Sequence, residues 1–289
     1  MNKKDYMYGM KMFNWIKGGV LAFIGILITR WDVGFGRFTI NIYFGLPIYF
    51  LIACSGMLVA LILKIEESPD ERKTLKSKKL EISSAVLYVA AFITSIVHTI
   101  RYNLDVLNVF LLAFIGVAWF LSVFYGKTWN RKNLLANILI SLSFSLGIIY
   151  GAAINGSMIP ISIFIFFGAI FLLQFSKDLI NESKNEKKYN RAGAFSLAST
   201  LGVEKTQKIS IILDLVVILL LILPFIPNFV YMLSMIFYMI LMIITVILLG
   251  IAALLTYKMK AEKTYYRTVK ILLRIGMFFL YTGLILAYF

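Results

Sequence analysis

Residues 229–257 read Phe-Val-Tyr-Met-Leu-Ser-Met-Ile-Phe-Tyr-Met-Ile-Leu-Met-Ile-Ile-Thr-Val-Ile-Leu-Leu-Gly-Ile-Ala-Ala-Leu-Leu-Thr-Tyr, without one charged side chain. A helix needs about 20 mostly apolar residues to cross the hydrocarbon core of a bilayer, and this run exceeds that length. Comparable runs lie at approximately 12–30, 43–64, 82–100, 104–125, 133–154, 157–177, 208–225 and 268–288. The sequence therefore predicts an all-α polytopic membrane protein with nine transmembrane helices in one bundle.

The composition of the whole chain supports this prediction. Of 289 residues, 61% are apolar and 15% are charged, which is more apolar surface than one soluble core of this size can bury. The net charge of +15 has no basic face with interleaved aromatic residues to carry it, so no nucleic-acid partner is predicted. A single cysteine and a single histidine exclude a disulfide within the chain and a histidine-based metal cluster. We expect the histidine, His98, to be a packed or interfacial imidazole.

The Lys and Arg residues indicate how the helices are oriented, because cytoplasmic loops of membrane proteins are enriched in them. Of the 29 such residues, all but Arg30, Arg37, Arg101 and Arg274 lie in the amino-terminal stretch or after the second, fourth, sixth and eighth predicted spans. This alternation predicts a cytoplasmic amino terminus and a carboxyl terminus outside. We treat the chain as one domain, 1–289, with cytoplasmic cap loops at about 65–81 and 178–207.

The longest polar segment follows the sixth predicted span. It contains Asp178, Asn181, Glu182 and Asn185, whose spacing of three and four places their oxygens on one helix face. Such oxygens suit Mg²⁺, which binds one or two carboxylates together with a substrate phosphate. The same spacing is also typical of a solvated, capped helix end, and spacing alone leaves both interpretations open.

This segment resembles the second acidic motif of the UbiA superfamily of intramembrane prenyltransferases. That motif reads Lys-Asp-x-x-Asp-x-x-x-Asp and is followed by Gly-x-x-Thr-Leu-Pro-x-x-x-Gly. Lys177 and Asp178 match it, Asn181 and Asn185 stand at the two later acidic positions, and Glu182 is an additional carboxylate. The spacing of the trailing segment is kept by Gly193, Ser196, Leu197 and Gly202.

Weaker similarity extends over most of the chain. Between the fourth and fifth spans the family has a Tyr, basic residues and a later Asn, and this chain has Tyr125, Lys127, Arg131, Lys132 and Asn137. The first acidic motif of the family has two registers here. Counted from a preceding glycine, it falls on residues without carboxylates, at Ala60, Leu61, Lys64 and Ser68; shifted by two, it gains Glu66 and Asp70. Both registers stay open, and the loop is equally explained as a basic cytoplasmic anchor with balancing acids.

The resemblance implies a substrate, a cofactor and a set of site residues. The substrates would be a polyprenyl diphosphate and a lipid-soluble acceptor, with membrane lipids around them and Mg²⁺ as cofactor. One metal would be held by Asp178 and Glu182 with Asn181 and Asn185, and the other by Glu66 and Asp70. The diphosphate oxygens would be bound by Lys127, Arg131, Lys73 and Lys177. The active site would face the cytoplasm of a prokaryotic plasma membrane.

The acceptor has several options within the family: geranylgeranylglyceryl phosphate of archaeal ether-lipid synthesis, a quinone-ring precursor, and haem. The Lys-Asp motif and its trailing segment look closest to the ether-lipid branch, so the first is favoured. Two other functions stay in competition. The missing acids would suit a catalytically degraded relative that binds an isoprenoid or a partner protein without turnover. A transporter would use buried ionisable residues, for which Asp214 and Arg274 are the candidates, although an ion pair between helices or an interfacial position explains them as well.

Overall fold

The computed structural model describes residues 17–32, 34–66, 72–102, 133–155, 159–191, 197–226, 235–258 and 263–288. Regular structure in these ranges is entirely helical, which confirms the all-α prediction for the described part of the chain. The helices are α1 (Lys17–Ile28), α2 (Phe35–Glu66), α3 (Arg72–Tyr102), α4 (Asn133–Asn155), α5 (Ile161–Arg191), α6 (Leu197–Leu201), α7 (Val203–Ile222), α8 (Met235–Tyr257) and α9 (Lys263–Tyr288).

Six of these helices contain a segment that is long and apolar enough to cross a membrane. The segments are Phe35–Ser55, Lys78–Tyr102, Ile161–Lys187, Val203–Phe225, Ile236–Tyr257 and Tyr265–Tyr288, and shorter apolar helices cover Lys17–Ile28 and Phe144–Asn155. The protein is thus an integral membrane protein. The predicted span at 104–125 lies outside the described residues, so the total of nine stays a prediction.

Several helices extend beyond their predicted spans. The third span was predicted from residue 82, but α3 begins at Arg72; the sixth was predicted to end at 177, but α5 continues to Arg191. Both predicted cap loops are therefore largely helical within the described ranges. Hydropathy marks only the part of a helix that lies in lipid, whereas Lys and Glu are good helix formers that continue the helix into water. The seventh span was predicted to end at residue 225, and in the structure α7 ends at Ile222 and a 3₁₀ turn follows at Leu223–Phe225.

The chain divides into two compact units. The first contains residues 1–130 and 146–159, and the second contains residues 131–145 and 160–289. In the first unit, α1 and the end of α4 approach so closely that their glycines have no room for a side chain. A Cβ on Gly151 would meet the carbonyl oxygen of Ala22, and a Cβ on Gly25 would meet that of Ile148. Small residues allow such close approach, which is how helices gain packing energy in lipid.

A buried polar network joins α1, α2, α3 and the end of α4, which are the helices that the structure describes in the first unit. The Asn41 side-chain amide of α2 donates to Asn155 Oδ1 at 2.8 Å and to the Ile154 carbonyl at 3.0 Å, both on α4. Asn155 in turn donates to the carbonyl of Ile26 on α1, and His98 Nε2 on α3 lies 3.0 Å from Asn41 Oδ1. The packed imidazole predicted for His98 is thus confirmed.

The second unit is joined by polar contacts between α5, α7, α8 and α9. Ser176 of α5 and Ser210 of α7 have their hydroxyl oxygens 2.7 Å apart. Gln207, one turn earlier on α7, donates to the Tyr266 hydroxyl of α9 at 3.0 Å. The Tyr238 hydroxyl of α8 donates to the carbonyl of Leu221 at 3.3 Å. These contacts fix the faces that α5, α7 and α9 turn toward one another.

The Gly151 contact can be tested by substitution to alanine. We expect Gly151→Ala to lower the free energy of unfolding by about 1–3 kcal/mol, because its Cβ cannot be accommodated unless the α1 backbone moves. Gly250→Ala in α8 is the matched control, since nothing lies within 4 Å of a Cβ there. Alanine is the better helix former, so the control should be as stable as wild type or slightly more stable. Thermal unfolding in detergent measures both, and equal stability of the two variants would contradict the close contact.

Candidate functional site

The candidate site lies where α5 passes from apolar to polar sequence. The helix has 31 residues and is about 46 Å long, whereas the hydrocarbon core is about 30 Å thick. The carboxyl-terminal part of α5 therefore extends beyond the apolar layer. A row of aromatic rings leads to this point: Phe167 stacks on Phe171 and Phe171 on Phe175, with ring centroids 6.2 and 6.1 Å apart. The first predicted site residues follow directly.

Gln174 links the two residues that match the Lys-Asp motif. Its amide nitrogen donates to Asp178 Oδ2 at 2.9 Å, and its amide oxygen accepts from the Lys177 ammonium. Lys177 is only 6% exposed. A carboxylate and an ammonium group are thus held in fixed directions on one helix turn, with a neutral amide between them. Such preorganised charge is what stabilises a charged transition state.

The two asparagines at the later motif positions have other partners. The Lys270 ammonium of α9 donates to Asn181 Oδ1 at 2.9 Å. The side-chain amide of Asn185 donates to the backbone carbonyl of Asn181 at 2.7 Å. Asn181 therefore presents its oxygen to a protein cation, and Asn185 is turned back onto its own helix.

Glu182 holds the chain segment that follows α5. It is only 3% exposed, and its Oε2 accepts a hydrogen bond of 3.0 Å from the backbone N–H of Leu197, the first residue of α6. A carboxylate that accepts from an amino-terminal N–H of a helix satisfies a donor that has no partner within the helix. This contact explains Glu182 as a positioning residue.

The α5 residues fit a magnesium ion poorly. Mg²⁺ needs several oxygen ligands at about 2.1 Å, but Asn181 Oδ1 faces an ammonium and Glu182 accepts from a backbone amide. Within the described ranges, no group of three or more His, Cys, Asp or Glu side chains is suited to hold a metal. On α5, Asp178 is the predicted ligand that keeps a carboxylate accessible, since among the described residues its Oδ2 accepts from a neutral amide, that of Gln174.

For the other predicted site residues, only the position in the chain is described, and no side-chain contact is. Glu66 is the last residue of α2, and Lys73 is the second residue of α3. Asp70, Lys127 and Arg131 lie outside the described residues. The structure thus brings together the α5 part of the predicted site, and the roles of these five residues stay predictions.

Two residues of the site were not predicted. Gln174 was visible as an isolated polar residue four positions before Asp178, at the spacing that places side chains on one helix face. Lys270 had no such signal, because a Lys near the start of the last predicted span is already explained by the predicted topology. Its contact with Asn181 depends on the packing of α9 against α5.

The two residues that raised a transporter function do not form an ion pair with each other. Asp214 is fully buried and close to Ser176, yet neither carboxyl oxygen has good hydrogen-bond geometry to a partner among the described residues. Arg274 is exposed on α9. Among the described residues the interhelical ion pair, one of the two alternative explanations, is therefore absent, and Asp214 is a buried carboxyl beside Ser176.

A comparison with known protein families now identifies the chain. The family profile described as the UbiA prenyltransferase family matches residues 69–282. The chain belongs to the UbiA prenyltransferase family. This confirms the resemblance drawn from Lys177 and Asp178, and with it the prediction of an intramembrane prenyltransferase.

Individual relatives and solved structures agree with this assignment. The digeranylgeranylglyceryl phosphate synthase of Sulfurisphaera tokodaii is 24% identical, over 82% of this chain and 84% of the relative. That of Saccharolobus solfataricus is 25% identical, over 82% and 83%. A structure from a study of digeranylgeranylglyceryl phosphate synthase in membranes has a TM-score of 0.74 at 18% identity, over 99% of this chain and 98% of the other. An apo UbiA homolog from Aeropyrum pernix K1 has a TM-score of 0.65 at 12% identity, over 91% and 96%. These two structures share the fold.

The buried carboxyl of Asp214, which makes no hydrogen bond of good geometry within the described residues, gives a stability prediction. A buried polar group without a partner costs about 1–3 kcal/mol, so an apolar residue of similar size should relieve that cost. We expect Asp214→Leu to raise the thermal unfolding temperature in detergent, while Leu213→Met, a conservative exchange at the neighbouring position, leaves it nearly unchanged. A lower unfolding temperature for Asp214→Leu would mean that this carboxyl has a stabilising partner.

The role of Glu182 can be separated into capping and metal binding by two variants. Glu182→Gln keeps an oxygen for the Leu197 N–H, whereas Glu182→Ala leaves that donor unpaired at a cost of about 1–3 kcal/mol. We expect the Gln variant to unfold near the wild-type temperature and the Ala variant to unfold earlier. The magnesium concentration that gives half-maximal binding of a donor analogue should be unchanged in Glu182→Gln. A clear rise in that concentration would assign Glu182 to the metal instead.

Proposed function

We propose that the protein transfers a geranylgeranyl group from its diphosphate to geranylgeranylglyceryl phosphate, forming the second ether of an archaeal membrane-lipid precursor. The observation that carries this proposal is the Lys177–Gln174–Asp178 array at the polar end of an apolar, aromatic-lined helix. It provides charge where a diphosphate would lie and an apolar path for a prenyl tail. The names of the relatives support the choice of acceptor.

The chemistry requires stabilisation of a leaving group. The bond between the allylic carbon and the diphosphate oxygen breaks, and both electrons leave with the diphosphate. The glycerol hydroxyl then forms the new ether bond with the allylic carbon and releases its proton to water. Lys177 would neutralise diphosphate oxygens, together with the predicted residues Lys127, Arg131 and Lys73. Ammonium and guanidinium groups aimed at developing negative charge lower the barrier of such a step.

The phenyl rings of α5 supply the second requirement. An allylic cation is stabilised by the negative face of an aromatic ring, as any cation near such a face is. Phe167, Phe171 and Phe175 are partly buried, and Phe175 lies three residues before Asp178, on the same side of the helix. The row would hold the prenyl chain with its reactive end nearest the charged turn.

Magnesium is part of the proposal as the cofactor that the family implies. When bound, it would neutralise further charge on the diphosphate. Glu66 and Asp70 are its proposed carboxylate ligands, and Asp178 is the proposed contribution of α5. Asn181, Asn185 and Glu182, predicted as ligands from the sequence, have the other contacts described above.

The placement of the protein follows the charge pattern. We propose that the amino terminus and the polar end of α5 face the cytoplasm of a prokaryotic plasma membrane, and that the carboxyl terminus is outside. The basic residues of the connections after the second and sixth predicted spans support this orientation. The family match extends from residue 69 in the first unit to residue 282 in the second, which supports one prenyltransferase domain over 1–289.

A relative that binds an isoprenoid without turnover is the competing function. The observation that favours it is the loss of two motif acids, at Asn181 and Asn185. It differs from the enzyme in a simple way: the donor would bind, and no acceptor would be prenylated. A screen with geranylgeranylglyceryl phosphate, a quinone-ring precursor and haem separates the two functions.

Asp178→Asn tests the proposed enzyme. Asn keeps an oxygen for the Gln174 amide but has no charge, and loss of a key electrostatic group costs about 10²- to 10³-fold in rate. We expect that loss in the transfer of a radiolabelled geranylgeranyl group to geranylgeranylglyceryl phosphate by purified protein in lipid nanodiscs. Lys205→Gln, an exposed change on α7, should transfer at the wild-type rate. Equal rates for Asp178→Asn and wild type would remove Asp178 from the site, and donor binding without product from any acceptor would establish the non-catalytic function.

A further inference from the structure

The position of Lys270 suggests how the second motif works without its acids. The residue lies on α9, half-buried, and its ammonium donates to Asn181 Oδ1 at 2.9 Å. Asn181 occupies a position where the family motif has an acid. An Mg²⁺ ion bonded to this oxygen at about 2.1 Å would lie at most about 5 Å from the ammonium nitrogen, with no charge on Asn181 to separate the two cations. The Asn181 oxygen can bind either the ammonium or the metal ion. If it bound both, the two cations would repel each other.

The net charge at this position would be the same with either cation, which supports replacement of the metal ion by the ammonium. A carboxylate with Mg²⁺ presents a net charge of +1, and a neutral amide with an ammonium presents the same net charge. Replacing Asp by Asn at position 181 would leave a metal weakly held, whereas the Asn181 and Lys270 pair restores the positive charge by a different donor. An ammonium is a compact charge with three N–H donors, which suits phosphate oxygens.

The surroundings fix Lys270 in this position. One turn earlier on α9, the Tyr266 hydroxyl accepts from Gln207 of α7, which anchors this end of α9. Val269 and Leu273, on either side of Lys270, are fully buried. On α5, one turn before Asn181, lies Lys177, whose ammonium is held by Gln174. Two ammonium groups from two helices thus stand along successive turns of the polar end of α5.

We propose that Lys270 is a diphosphate-binding residue, and that its ammonium takes the place of the magnesium ion that an acid at position 181 would hold. This inference rests on the proposed prenyl-diphosphate substrate. It adds a residue from α9 to the site, and it means that the second motif neutralises the leaving group with protein cations, Lys177 and Lys270. Any magnesium requirement would then come from ligands other than Asn181.

Binding of an unreactive donor, geranylgeranyl thiolodiphosphate, tests the inference apart from turnover. The full-length protein in detergent is titrated by calorimetry with the analogue, in magnesium and in EDTA. We expect Lys270→Met to weaken binding at least about tenfold in both media, because a charge-assisted hydrogen bond is lost. Arg267→Met, an exposed change at the same end of α9, controls for the loss of one positive charge and should change the dissociation constant less than about twofold.

The exchange itself is tested by a double variant. Asn181→Asp with Lys270→Met restores an acid and removes the ammonium, so it should regain binding in magnesium and lose it in EDTA. Wild-type affinity of Lys270→Met would overturn the inference, and so would a double variant that stays weak at saturating magnesium. Comparable unfolding temperatures of all variants ensure that affinity, not folding, is compared.

Two further probes identify the phosphate that Lys270 binds. Lys270→Met should weaken the binding of inorganic diphosphate as much as it weakens the binding of the donor analogue. It should leave the binding of geranylgeranylglyceryl phosphate alone unchanged. Selective weakening of the acceptor would overturn the assignment to the leaving group. Diphosphate binding that depends on Lys270 in a protein that prenylates no acceptor would leave this inference standing and disprove the proposed function.

Discussion

A polar side chain inside a membrane-spanning helix bundle has to find its hydrogen-bond partner within the protein, because the lipid offers none. Each unit of this protein meets that constraint with a pair of serines. In the first unit, Ser55 and Ser84 have hydroxyl oxygens 2.9 Å apart and each donates to the other's backbone carbonyl. In the second unit, Ser176 and Ser210 make the corresponding contact. Such pairs fix the rotation of a helix as well as its distance from its neighbour.

The site on α5 depends on this fixed rotation. Ser176 is held against α7, and successive residues of a helix are turned by about 100°. Lys177 and Asp178 are therefore directed away from α7 by a defined angle, and Asp178 shares a face with Gln174 and Asn181. A helix free to rotate could not keep an ammonium, an amide and a carboxylate in hydrogen-bond sequence. The packing contact of Ser176 with α7 thus determines the direction of the charged side chains that follow it in the sequence.

The sequence predicted the six spanning segments that the structure describes, because hydropathy measures the one property that the bilayer selects. It could not predict where the helices end, since α3 and α5 continue through charged residues that favour helix as strongly as apolar ones do. At the site, the grouping of Asp178 with Asn181 followed from helical spacing alone. Their partners did not: Lys270 lies 89 residues from Asn181, and only the packing of α9 on α5 brings them together.

Glu182 also shows that the sequence alone does not determine the role of a side chain. Its spacing was right for a metal ligand, and a carboxylate on that face would serve either a metal or a backbone N–H. Glu182 accepts from the backbone N–H of Leu197, fifteen residues later, and this contact decides between the two roles. A residue type therefore defines what a side chain can do, while the tertiary contact selects among those possibilities.

The absence of acids from one motif does not by itself remove the charges that stabilise a leaving group. A sequence motif describes the charges on one helix. A bound substrate interacts with the charges of all the helices around it. Asn181 lacks the charge of an acid, yet the cation that faces it comes from α9 at hydrogen-bond distance. An Asp at 181 beside Lys270 would form an ion pair with that ammonium and weaken its attraction for a phosphate, whereas the neutral Asn181 does not add a negative charge there. For the described part of this site, the neutral Asn181 side chain and the ammonium of Lys270 therefore make physical sense together.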